Sequence, residues 1–140
     1  VGAVDKALVA LKEAGAKRAV LLPVSAPFHS TLLQPASDRL AEVFKTITFH
    51  DAKIPVMANV NAEEVTKAEV IKESLIRQAA ILWETGVRKM IAGGVDTFVE
   101  VGPGKVLCGF NKKIDKSVTS LNVEDEASLA KTLAYFQEVR

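Results

Sequence analysis

The apolar positions of this chain follow two alternating rhythms. Val4, Ala7, Leu8 and Leu11 recur at three and four residues, which is one face of a helix, and Gly15 is placed to end it. The apolar run at about residues 18–24 then predicts a strand. Leu33, Ala36, Leu40, Val43, Phe44 and Ile47 keep helical spacing over about four turns, the strongest periodic signal present, and Pro35 is compatible with it because it lies near the start. Ile54 to Val60 predicts a short buried strand, and residues 67–79 a helix with Val70, Ile71, Leu75 and Ala79 inward. A further helix carries Trp83, Val87, Met90 and Ile91 up to Gly93 and Gly94. A strand from Thr97 to Val101 runs into Gly102, Pro103 and Gly104. A short helix through Val106, Leu107 and Phe110, a strand at Val118 to Leu121 and a last helix with Leu129, Leu133 and Phe136 complete the series. Strands alternating with helices point to an α/β architecture with a mostly parallel sheet.

Composition narrows the class. A length of 140 residues allows one domain, or part of a larger one, and 49% hydrophobic with 25% charged residues is a globular balance. No window has the length of apolar sequence that spans a bilayer, and no basic start leads into an apolar core, so a cytoplasmic location without membrane is expected. Cys108 is the only cysteine, which rules out an intrachain disulfide and a cysteine-rich zinc site. Its neighbours Val106, Leu107 and Phe110 predict a small buried side chain. A net charge of +1 argues against a nucleic-acid partner, and Lys112, Lys113 and Lys116 form at most a local anion-facing patch.

His29 is the first candidate for chemistry. It lies in "VSAPFHS", residues 24–30, on backbone stiffened by Pro23 and Pro27, where a strand gives way to a helix. Reactive groups collect at such crossings in α/β sheets, and an imidazole there can serve as general base, or simply cap the helix that begins near Ser30. His50, between Phe49 and Asp51, has the surroundings of a surface residue. No His, Cys, Asp or Glu set has metal-ligand spacing. "GPGK" at 102–105 raises a phosphate-loop reading, but it lacks the spacing of the P-loop and the third glycine of the dinucleotide fingerprint. A tight strand-to-helix turn, with glycines admitting close packing, is the favoured account. None of the seven serines stands in G-x-S-x-G, so a histidine base would lack a nucleophile within these residues.

"LPVSAPFHS" and "VEVGPGKVLCGFNKKID", in that order, resemble the C-terminal half of malonyl-CoA:acyl carrier protein transacylases, a likeness running from the first helix to at least Asp115. The resemblance implies that residues 1–24 end a ferredoxin-like small subdomain and that 25–140 form the C-terminal part of an α/β-hydrolase-like large subdomain. It implies ping-pong transfer of malonyl from coenzyme A to the phosphopantetheine thiol of acyl carrier protein, in fatty acid biosynthesis and with no further cofactor. In the family the serine nucleophile, the oxyanion glutamine and the arginine for the malonyl carboxylate lie upstream, in what would be the N-terminal portion of the same enzyme. His29 matches the family's base, the backbone carbonyl of Gln78 matches the acceptor for its other N–H, and Phe28 matches a position that disfavours branched substrates. Asn59 falls near the pocket without a defined role, and "QAAILWE" lacks the Pro-Val that commonly precedes the tryptophan. On this reading the 140 residues alone are inactive. The rivals are a polyketide synthase-type acyltransferase domain and a non-catalytic carrier-protein-binding module.

Overall fold

The computed structural model describes residues 2–21, 23–24, 30–77 and 81–139. Helix α1, Gly2–Glu13, ends as its spacing predicts: Gly15 takes φ +90°, open to glycine at little cost, and the amides of Gly15 and Ala16 turn back onto Lys12 and Leu11. None of the residues of α1 is buried. The strand expected at 18–24 is not formed: residues 18–21 and 23–24 have no regular structure. A strand needs a neighbour for its amides and carbonyls, and no described segment pairs with this one.

A 3₁₀ turn at Thr31–Leu33 leads into α2, Gln34–Phe44. The Ser30 hydroxyl accepts the Leu32 N–H at 3.3 Å and caps the turn, and Pro35 sits in the first turn of α2, where its missing N–H costs nothing. The strand expected at 54–60 is shorter, β1 at Val56–Ala58, with Ile54 left 77% exposed. It pairs antiparallel with β2, Glu63–Val65, with Val56 opposite Val65. α3, Ala68–Ile76, starts where the Asp51 carboxylate accepts both the Ala68 amide at 2.9 Å and the Lys67 ammonium at 2.7 Å. α4, Trp83–Ala92, lies against the hairpin at Gly86, where a Cβ would come within 3.2 Å of the Met57 side chain.

The second layer is built on β3, Thr97–Val101, and β4, Thr119–Val123, which pair in parallel from Thr97 opposite Thr119 to Val101 opposite Val123. α5, Val106–Ile114, packs on both strands and against α4, and α6, Glu126–Glu138, packs on β4. α6 opens with a reciprocal cap in which the Asp125 carboxylate accepts the Ser128 amide at 2.7 Å and the Ser128 hydroxyl faces the Asp125 amide at 2.9 Å. The mixed α/β composition is as expected, but the mostly parallel sheet is not seen among the described residues, whose strands form one antiparallel and one parallel pair.

The described core is small: Ala58, Ala62, Val65 and Val87 around the hairpin, Cys108 and Val118 beside the parallel pair. The accessible surface is 10828 Å², whereas a closed globular chain of this length exposes about 7,000 Å². Much of the excess is apolar, with Val101 79% and Leu32 72% exposed.

Candidate functional site

Phe28, His29 and Gln78, the residues on which the chemistry was expected to rest, lie outside the described residues. Described residues next to them in the chain meet at one cavity. Ser30 follows His29 and Arg77 precedes Gln78, and both line one cavity of about 440 Å³ between the start of α2 and the end of α3. Leu33, Leu40 and Leu75 give it an apolar wall, and Ser37 and Gln34 contribute polar groups.

The two helices that form this cavity are tied across it. The Ser37 hydroxyl donates to the backbone carbonyl of Ile76, the last helical residue of α3. That carbonyl has no further turn of α3 to bond to, and a hydroxyl from another helix supplies a donor. Arg77 is held along its own helix by Glu73 at 3.2 Å, an exposed pair of little energetic weight. On the other side of residues 78–80, the Leu82 amide donates to the Asn59 carbonyl at 2.9 Å. The Trp83 indole N–H then donates to Oδ1 of the buried Asn111 at 3.2 Å. The chain is therefore anchored to α2 just before Gln78 and to the β1 end and α5 just after it. Asn59 serves through its backbone carbonyl, and it lies between two small cavities beside Met57.

From the sequence alone no candidate role falls on Ser37 or Asn111. Asn111 was accessible in principle, because it stands three residues after Cys108 on the same face of α5, and an amide on a buried face needs a partner. Ser37 carried no local signal, since its partner is 39 positions away.

The glycine turn after β3 forms as a tight turn, for a different reason from the one expected. Gly102 and Gly104 take φ +139° and +86°, while a Cβ at either position would meet nothing within 4 Å. The glycines answer a backbone demand, and close packing plays no part. Amides of this turn and of the start of α5 are already engaged by the protein itself. The Glu100 carboxylate accepts the Leu107 and Cys108 amides at 3.2 and 2.8 Å, and Glu124 accepts the Gly104 amide at 2.9 Å. The Cys108 amide chiefly holds the Glu100 carboxyl below its ordinary range. Two carboxylates thus stand where a phosphate would have to bind, and the phosphate-loop reading is set aside.

Cys108 is buried, as its neighbours predicted, and its thiol donates to the Leu121 carbonyl at 3.2 Å. Burial first, and then the neighbouring Glu100, push this thiol up and away from the reactive thiolate. His50 is exposed. Lys112 and Lys113 occupy the last turn of α5, where positive charge complements the helix dipole. Among the described residues no group of three His, Cys, Asp or Glu side chains is arranged to hold a metal, and no helix is long and apolar enough to cross a membrane.

No protein-family model matches the chain. Individual proteins do. It is 43% identical over 129 residues to a malonyl CoA-acyl carrier protein transacylase of Bacillus subtilis, a match covering 91% of this chain and 41% of that protein. The solved malonyl CoA-acyl carrier protein transacylase of Clostridium perfringens superposes with a TM-score of 0.86 at 47% identity, over 98% of this chain and 44% of that one. A malonyl-transacylase solved in complex with a type II polyketide acyl carrier protein superposes at 0.85 and 40% identity, over 96% of this chain and 44% of that one. At these identities the likeness reaches beyond architecture to ancestry. The chain is a homologue of the malonyl CoA-acyl carrier protein transacylases and spans about two fifths of the length of those it matches.

Proposed function

We propose that this chain supplies the histidine half of a Ser–His acyltransferase that moves malonyl from coenzyme A to the phosphopantetheine thiol of acyl carrier protein, in the cytoplasm and within fatty acid biosynthesis. A serine from a preceding region attacks the thioester carbonyl while Nε2 of His29 takes its proton. The C–S bond breaks, and the proton passes to the departing coenzyme A thiolate, leaving malonyl as a serine ester. In the second half, His29 takes the proton of the phosphopantetheine thiol, sulfur attacks the ester, and the serine oxygen leaves with that proton. The Gln78 carbonyl accepts the second ring N–H of His29 and fixes the tautomer, without the charge of a triad carboxylate. Phe28 narrows the acyl pocket against an α-branch. Residues 1–24 belong to a ferredoxin-like small subdomain and 25–140 to an α/β-hydrolase-like large one, which accords with the absence of buried residues in α1.

The observation that carries this reading, beside the ancestry, is the shared cavity: residues adjacent in the chain to His29 and to Gln78 line the same space. The large apolar exposure fits a chain that is completed by the nucleophile-bearing region. One finding favours a second reading, in which the acceptor belongs to a polyketide assembly, since a relative 40% identical was solved with such a carrier protein. Both carrier types are therefore assayed. This chain is joined to the remaining part of the Clostridium perfringens relative, and malonyl transfer to holo carrier protein is followed. His29→Ala lowers kcat by about a hundredfold or more, and His50→Ala leaves it unchanged. Equal effects of the two substitutions would refute the assignment of the base, and transfer by the 140 residues alone would refute the division of labour.

A further inference from the structure

We draw no further inference here: the strongest candidate, the exposed lysine cluster of Lys112, Lys113 and Lys116 at and just beyond the end of α5, suits an acidic partner and so restates carrier-protein binding, an established property of the malonyl-transacylase solved with its carrier protein.

Discussion

The contact between Trp83 and Asn111 offers a test whose size can be worked from the structure. Asn111 is only 3% exposed, and its Oδ1 accepts the Trp83 indole N–H at 3.2 Å, joining the first residue of α4 to the middle of α5. Asn111→Leu keeps the volume and leaves the indole N–H without its acceptor, which costs about 1–3 kcal/mol in desolvation of an unpaired donor. Trp83→Phe leaves the buried Oδ1 without its donor at a similar cost, with some lost apolar contact added. In the double variant neither group remains to be left unpaired, so its destabilisation falls short of the sum of the singles by about 1 kcal/mol. Urea unfolding of the 140-residue chain, followed by far-UV circular dichroism, measures each leg. With slopes of about 1–3 kcal/mol/M, a loss of about 2 kcal/mol lowers the midpoint by roughly 1 M. Additivity within about 0.3–0.5 kcal/mol would show that the two groups do not interact and that α4 and α5 are held by apolar packing alone.

Two further outcomes are expected. Cys108 should resist a thiol-specific chromogenic reagent at neutral pH and react at once in denaturant, because its thiol is buried and pushed up; rapid reaction in the folded chain would contradict its placement. Glu100, held below its ordinary value of 4.5 chiefly by the Cys108 amide, contributes stability that is present above that value and disappears as pH falls through its lower folded pKa. Glu100→Gln should therefore show a shallower acid arm in melting temperature against pH, with Asp51, Asp115 and Asp125, lowered in the same direction, retaining the rest of the slope; superimposable arms would remove Glu100 as the cap of α5.

The helices were legible because a helix writes its buried face into spacing that any stretch of chain can carry alone. α1, α2, α4, α5 and α6 stand within a few residues of where their apolar positions predict, and Gly15 follows the end of α1 as Gly93 and Gly94 follow that of α4. β3 and β4 were legible for a related reason: Phe98, Val99, Val101 and Leu121 belong to short apolar runs closed by turn residues. β2 was not, because Glu63 and Glu64 give it no apolar signature and it exists through pairing with β1 across a four-residue connection in which Ala62 adopts φ +53°. Residues 18–24 failed in the opposite sense, with the composition of a strand and no partner among the described residues. For the site, His29 was singled out by its place on a stiff loop between a predicted strand and a helix, and its proposed acceptor came only from a family likeness. The groups that hold the surrounding backbone, Ser37, Asn111, Glu100 and Glu124, act across 39, 28, 8 and 20 positions, and of these only Asn111, on the buried face of α5, carried a local signal.

Apolar spacing counts the side chains that will be withdrawn from water without saying what will cover them. In this chain that distinction separates the enzyme reading from the rival of an autonomous binding module. Parallel strands are found almost entirely in sheets covered on both faces and extended by further strands. β3 has β4 as its only described neighbour, and Val101 at its end is 79% exposed. A module that evolved to stand alone would blunt such an edge with lysine, proline or a bulge, and β3 has none of these in Thr-Phe-Val-Glu-Val. Its one charge, Glu100, is turned back to cap α5 and leaves the edge unguarded. A strand composed for burial, with its carboxylate engaged by the interior turn, favours the proposed reading, in which a further segment covers this edge, over the autonomous module.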